Sequence, residues 1–199
     1  MPITDENLEQ ALGLLGELLA SEKHTPFQLV VCGGSALVAQ KIVSRVTHDV
    51  DVLAQRNWDR EIFRAYPLPE VLAKAAKQVS EELGLEANWL NSAASFHFPD
   101  YGALPASFWT DLAPREYGPY LSVSFVTRSG QILLKLYAAL NRTEIRDFDD
   151  LKALAPDSCE TEEGLRWLLR SFPGLLHRNR LPELLTYLGY EELIARFER

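Results

Sequence analysis

The sequence predicts an α+β fold in which a small mixed β-sheet is flanked by helices and followed by a helical C-terminal part. Strand-like apolar patterns occur at 27–32, 45–53 and 120–127. Around and after them, apolar residues recur at helical spacing in 5–20, 69–84 and 132–154. Alternation of apolar residues indicates strands, whereas recurrence every three or four residues indicates helices. We therefore predict an α/β core over 1–129 and a helical C-terminal region over 130–199 that packs on this core.

Several predicted helices carry signals of their own. In 5–20 the apolar residues share one helical face; they are Leu8, Ala11, Leu12, Leu15, Leu18 and Leu19. Pro69 and Gly84 bound the helix between them, because proline begins and glycine ends many helices. In the C-terminal part, Asp157 and Glu160 predict the N-terminal cap of another helix.

Composition places the chain among ordinary globular proteins of the cytoplasm. Of its 199 residues, 47% are hydrophobic and 24% are charged, so a sizeable core is available. No apolar run is long enough to span a membrane, and we expect no membrane partner. Cys32 lies in an apolar strand far in sequence from Cys159, which favours a buried, reduced thiol. The net charge of −8 argues against broad binding to a nucleic-acid backbone.

A glycine turn follows the first predicted strand. The apolar run 29–32 ends at Gly33 and Gly34, and Ser35 follows where a helix can begin. Glycines permit a sharp turn and let a ligand approach the backbone closely. Because the N–H groups at a helix start favour a phosphate, Gly33, Gly34 and Ser35 are candidate phosphate-binding residues.

Polar residues occupy every second position of the next predicted strand, at Arg45, Thr47, Asp49 and Asp51. Since a strand places alternate side chains on one face, all four are expected to point the same way. The Cα atoms of Asp49 and Asp51 should lie about 7 Å apart. Their carboxylates are candidate ligands of Mg²⁺, which prefers oxygen ligands and shares them with substrate phosphates. Arg45 is a candidate phosphate-binding residue because it shares this face.

Each of these features also has a purely structural interpretation. Double glycines often mark simple turns, and an Asp-x-Asp pattern is often the solvated face of a half-buried strand. The combination is more specific than its parts. A glycine turn and two aspartates on one face, with a predicted strand on each side, together favour a nucleotide site.

The combined pattern resembles the nucleotidyltransferase superfamily, which has the fold of polymerase beta and the minimal nucleotidyltransferases. The superfamily signature is a Gly-Gly or Gly-Ser turn followed by Asp-x-Asp on the next strand, here Gly33, Gly34, Ser35, Asp49 and Asp51. The form GGSAL…RVTHDVDVL is similar to the branch that includes the AbiEii-type toxins and related uncharacterised bacterial proteins. The resemblance implies transfer of a nucleoside monophosphate from an NTP to a hydroxyl acceptor, with Mg²⁺ or Mn²⁺. The acceptor is left open between RNA, protein and a small molecule, and an antitoxin is an expected partner.

The resemblance extends to a second stretch, KLYAALNRTEIRDFDDL, in the C-terminal part. It matches the branch at Lys135, Arg142, Arg146, Asp147 and Asp150. The resemblance implies that Lys135 contacts the triphosphate and that Asp147 acts nearby as an acid, a base or a partner of the lysine. Arg45 or Lys135 would then stabilise the leaving pyrophosphate. The structural alternative is a helix whose charges form surface pairs, such as Arg146 with Asp149 or Asp150.

The third strand departs from the superfamily pattern. Many nucleotidyltransferases carry a third carboxylate at about this point, but 120–127 contains none and instead carries Ser122 and Ser124. Three explanations stay open: a loop acid such as Asp111 or Glu116 substitutes, one metal suffices, or catalysis has been lost. The alternative function is therefore a catalytically degenerate nucleotide-binding or protein-interaction module with the same fold.

Overall fold

The computed structural model describes residues 1–21, 25–142, 144–173 and 180–197. The chain divides into two compact units, Met1–Thr127 and Arg128–Arg199. The first unit combines a sheet with helices and the second contains helices, which confirms the predicted α+β fold. In the part of the chain that the structure describes, no helix combines the length and the hydrophobicity that a membrane span requires.

A mixed sheet organises the first unit. Its strands are β1 (Phe27–Cys32), β2 (Val50–Arg56), β3 (Ile62–Arg64), β4 (Leu90–Asn91), β5 (Leu112–Glu116) and β6 (Leu121–Val126). The strand order is β3-β2-β1-β6-β5, with β4 paired to β2. β1 runs antiparallel to β2 and parallel to β6, and Cys32 pairs with Asp51. The end of β1 therefore lies beside the start of β2.

Helices cover this sheet because their apolar faces match the buried side chains of the strands. They are α1 (Asp5–Ser21), α2 (Gly33–Ala39), α3 (Glu70–Leu83), α4 (Ala93–His97) and α5 (Ala106–Thr110), with a short 3₁₀ turn at Tyr101–Ala103. The main core joins α1 and α3 to the sheet through Leu8, Leu12, Leu15, Leu29, Val31, Val52, Leu72, Val79, Val123 and Phe125. Removing these apolar side chains from water is the dominant favourable term in folding this unit.

The second unit consists of α6 (Arg128–Asn141), α7 (Arg146–Leu154), α8 (Ser158–Ser171), α9 (Arg180–Leu188) and α10 (Ile194–Phe197), with a 3₁₀ turn at Glu191–Leu193. Its buried apolar residues include Leu136, Leu140, Phe148, Leu151, Leu165, Leu168, Leu184 and Leu185. The predicted cap of α8 is confirmed, because Asp157 accepts from the Glu160 backbone N–H while Glu160 accepts from the Asp157 N–H. This reciprocal arrangement satisfies two helix-terminal N–H groups that have no partner within the helix.

The predictions around β2 need correction. The alternating pattern suggests a strand from residue 45, but β2 begins at Val50 and only an isolated bridge joins Thr47 to Ile3. Residues 55–69, which lie outside the three predicted strands, contain the end of β2 and all of β3. β3 is an edge strand of only three residues, too short for a period-2 pattern to reveal it. β5 was likewise not predicted, because it owes its position to pairing with β6.

Gly16 in α1 lies against the backbone of Tyr117. A Cβ atom added there would be 1.9 Å from the Tyr117 carbonyl oxygen, whereas one added at Gly13, in the same helix, would meet nothing within 4 Å. We expect Gly16→Ala to lower the free energy of unfolding by about 1–3 kcal/mol, because the helix must move away from the sheet. Gly13→Ala should instead raise it by about 0.5–1 kcal/mol through helix propensity.

Urea unfolding of the two alanine variants measures both effects. Opposite signs are expected from the same chemical change in the same helix. Equal stabilities of the two variants would contradict close packing of α1 against Tyr117.

Candidate functional site

The glycine turn is in direct contact with one of the two candidate aspartates. Gly33 is the first residue of α2 and has a φ of +70°, which L side chains rarely adopt. A Cβ atom at Gly33 would lie 2.8 Å from the Asp51 Oδ2 atom. The turn therefore needs glycine for two reasons, its backbone conformation and the carboxylate packed against it.

Gly34 contacts the segment that leads into β2. A Cβ atom at Gly34 would lie 2.8 Å from the Thr47 Oγ1 atom and 3.5 Å from the Arg45 Nη1 atom. Thr47 is buried and Arg45 is half-buried. The two glycines thus let residues 45–51 lie directly on the start of α2, which brings Arg45, Thr47 and Asp51 to one place.

Asp49 lies just before β2 and has two polar neighbours. Its Oδ1 atom lies 3.5 Å from the Thr47 hydroxyl, which donates to it, and its Oδ2 atom accepts from the Asn91 side-chain amide at 3.4 Å. Asn91 is the residue that sequence reasoning missed. It reaches this site because β4 pairs with the first residues of β2, and no local pattern reports such a pairing.

Ser35 does not have the environment predicted for it. It is completely buried, and its hydroxyl donates to the Cys32 carbonyl at 3.4 Å. The sequence predicts a helix start at Ser35, with its N–H group as a candidate phosphate ligand, but α2 begins two residues earlier, at Gly33. Ser35 therefore packs inside the first unit, and Gly33 and Gly34 are the half-buried backbone positions at the turn.

The face of β6 that lies on the same side of the sheet as Asp51 carries serine and no acid. Cys32 pairs with Asp51 and Val30 pairs with Ser124, so Asp51 and Ser124 share a sheet face with β1 between them. Glu116 ends β5 and Asp111 immediately precedes it, so both lie three strand spacings from β2, or about 14 Å. Neither is near enough to replace a missing carboxylate of the Asp49 and Asp51 pair.

The two aspartates fit one particular mode of metal binding. Within the described ranges, no group of three or more His, Cys, Asp or Glu side chains is arranged to hold a metal ion. Mg²⁺ is often bound by one or two carboxylates while substrate phosphates and water complete its coordination. Asp49 and Asp51, with the glycine turn beside them, match that donor set when a phosphorylated ligand is present.

In the second unit, Lys135 lies between two carboxylates. Its Nζ atom is 2.9 Å from Asp147 Oδ1 and 2.7 Å from Asp150 Oδ2. The side chains are 13%, 5% and 1% exposed, respectively, so this is a buried ion cluster rather than a set of surface pairs. Asp147 was suggested as an acid, a base or an ion-pair partner of Lys135. The observed contact is an ion pair with Lys135. The Asp147 Oδ2 atom is buried and has no hydrogen-bond partner among the described residues.

The charge state of Lys135 follows from two opposing effects. Burial lowers the pKa of its ammonium group, but the charges of Asp147 and Asp150 and their hydrogen bonds raise it by more, so the net direction is upward. Lys135 is therefore a permanent cation at neutral pH. It partly neutralises two buried carboxylates that would otherwise be costly to keep charged.

The first unit thus belongs to the class of proteins in which a glycine turn after one strand lies against an aspartate at the start of the neighbouring strand of a mixed sheet. Residues 7–91 match the model of a family described as a nucleotidyltransferase of unknown function (DUF6036). The matched range contains the glycine turn, both aspartates and Asn91. This part of the chain is therefore similar to that family. Comparison with curated proteins and with solved structures gave no match.

Proposed function

We propose that the first unit catalyses nucleotidyl transfer from an NTP to a hydroxyl acceptor. The observation that carries this proposal is the contact between the Asp51 carboxylate and the Gly33 backbone. Because of this contact, one ligand could reach both the turn, proposed to bind phosphate, and the carboxylate, proposed to bind the metal. The match of residues 7–91 to a nucleotidyltransferase family supports nucleotidyl transfer as the class of reaction.

In the proposed reaction, the backbone at Gly33 and Gly34 holds the phosphates and Arg45 supplies positive charge beside them. Mg²⁺ or Mn²⁺, held by Asp49 and Asp51, would neutralise the negative charge of the triphosphate. The acceptor oxygen attacks the α-phosphorus and forms a new P–O bond. The bond from the α-phosphorus to the bridging oxygen breaks, and pyrophosphate leaves with the electron pair. The acceptor proton passes to a base.

The finer parts of this proposal depend on sequence resemblance. Resemblance to AbiEii-type toxins suggests a toxin with an antitoxin partner and assigns Lys135 and Asp147 to the reaction. The acceptor is RNA, protein or a small molecule. These assignments are predictions about the chemistry, distinct from the structural role of Lys135 described above.

A second function is favoured by the absence of an acid from β6. Ser122 and Ser124 lie on the same sheet face as Asp51, and neither can act as a carboxylate ligand. A chain with this site could bind NTP and metal without turning the nucleotide over. Incubation with an α-phosphate-labelled NTP separates the two functions, since a transferase labels an acceptor or itself whereas a binding module retains only reversibly bound NTP.

Isothermal titration of each NTP, with and without Mg²⁺, tests the site. We expect Mg²⁺-dependent binding to the wild type, weakened at least about 100-fold in Asp49→Ala/Asp51→Ala, because the variant lacks both proposed metal ligands. Asp59→Ala, which removes an exposed carboxylate elsewhere in the first unit, is the matched control and should bind like the wild type. Absence of NTP binding by the folded wild type with any divalent metal would refute the proposal.

A further inference from the structure

A cavity lies in the first unit, between the start of α1 and the segment that joins α2 to β2. Its volume is about 250 Å³. The side chains of Val38, Val43 and Val46 give it an apolar part, and it is lined further by Thr4, Asp5, Lys41, Ser44 and Arg45. Small-molecule sites commonly combine an apolar wall with a few converging polar groups in this way.

The side chains that line this cavity carry a formal excess of one positive charge, although the whole chain is acidic. Two cationic side chains, Lys41 and Arg45, line it together with a single carboxylate, Asp5. The formal net charge of the chain is −8, so a local excess of positive charge is not the average of its surface. A compact anion is the ligand that such a lining attracts.

Lys41 occupies a backbone position that usually belongs to glycine. Its φ is +57°, and its N–H donates to the Val38 carbonyl while the Ile42 N–H donates to the Leu37 carbonyl. This pair of hydrogen bonds is the Schellman ending of a helix, in which the left-handed residue is most often glycine. Lys41 therefore lines the cavity in a backbone conformation that is unfavourable for lysine. Such an outlier suggests that the lysine side chain has a function at this position.

The cavity adjoins the glycine turn through Arg45. The same side chain that lines the cavity places its Nη1 atom 3.5 Å from where a Cβ atom of Gly34 would lie. An anion in the cavity would therefore bind next to the phosphate-binding turn without occupying it.

We propose that this cavity binds a small phosphate-bearing anion through Lys41 and Arg45. The proposal goes beyond nucleotidyl transfer, because binding here needs neither Asp49 nor Asp51 nor a metal. The ligand has two sources with the same chemistry. It is either the pyrophosphate that nucleotidyl transfer releases or a separate phosphorylated effector.

Titration of the full chain with inorganic pyrophosphate in the presence of EDTA tests the proposal. Wild type should bind, and Lys41→Gly should bind at least tenfold more weakly while melting at the same or a higher temperature, because glycine suits its backbone conformation. Ala155→Gly is the matched control, since Ala155 has a φ of +47° and no charge. It should melt no lower than wild type and bind pyrophosphate equally well.

Two further measurements separate this proposal from the transferase proposal and identify where the bound anion comes from. Asp49→Ala/Asp51→Ala should keep metal-free pyrophosphate binding, so failure of the transferase proposal and failure of this one give different results. Displacement of pyrophosphate by a non-hydrolysable NTP analogue would identify the reaction product as the ligand, and simultaneous binding would identify a separate effector. Equal affinity of wild type and Lys41→Gly, loss of metal-free binding in the aspartate variant, or no binding by wild type would overturn the proposal.

Discussion

Lys135→Ala is expected to lower the free energy of unfolding of the second unit by about 3–5 kcal/mol, because it leaves two buried carboxylates without their counterion. Asp147 and Asp150 are 5% and 1% exposed, so water cannot replace the ammonium group. Hydrogen exchange of the α6 and α7 amides in increasing urea measures this loss where it occurs. The cost arises from the unpaired charges that remain, not from the loss of the lysine's contacts alone.

Two controls separate this explanation from a general effect of removing lysine. Lys77→Ala breaks an exposed pair with Glu81 in which the side chains are 72% and 66% exposed, and should change stability by less than about 1 kcal/mol. The triple variant Lys135→Met/Asp147→Leu/Asp150→Leu removes all three charges and should recover most of the lost stability. A triple variant as unstable as Lys135→Ala would show that the buried charges are not the cause.

The stabilisation that Lys135 provides in this cluster depends on pH in a definite direction. The pKa of Lys135 is raised above its ordinary value of 10.5 in the folded protein, where burial alone would lower it but the two aspartates prevail. A raised pKa means that the folded state holds the proton more tightly than the unfolded state. The stabilisation is therefore complete below pH 10.5 and declines as the pH rises through the folded-state pKa. The stability difference between wild type and the triple variant should change in this alkaline range and stay constant near neutrality.

Gly33→Ala is expected to weaken metal-dependent NTP binding by about 10–100-fold, while the protein stays folded. The new methyl group would lie 2.8 Å from Asp51 Oδ2, and the carboxylate must turn away from the turn to make room. The left-handed backbone adds a stability cost of about 1–2 kcal/mol. Isothermal titration with NTP and Mg²⁺ gives the first effect, and urea unfolding gives the second.

Gly84→Ala is the matched control for Gly33→Ala. Gly84 has a φ of +64°, similar to that of Gly33, but a Cβ atom there would meet nothing within 4 Å. It should therefore lose similar stability and bind NTP like the wild type. If both variants lost NTP binding, or neither did, the contact between Gly33 and Asp51 would have no special importance for the site.

Local sequence was sufficient for the strongly periodic elements. The apolar faces of α1 and α3 and the alternating pattern of β6 are visible in the residues themselves, because one side of each element must leave water. The same holds for β1, whose predicted range is the observed one. The glycines and the Asp-x-Asp were likewise identifiable, since each is a short pattern with few residue types that can replace it.

The sequence by itself therefore determined the α+β class and the turn at Gly33 and Gly34. It also singled out Asp49 and Asp51 as the candidate metal ligands. Only the tertiary structure decided that Asp51 packs on Gly33, that Asn91 reaches Asp49, and that Asp150 as well as Asp147 surrounds Lys135. The tertiary structure also shows that Ser35 is buried and that β2 begins only at Val50. The physical reason is that propensity and periodicity act along the chain, whereas strand pairing and charge burial join residues distant in sequence.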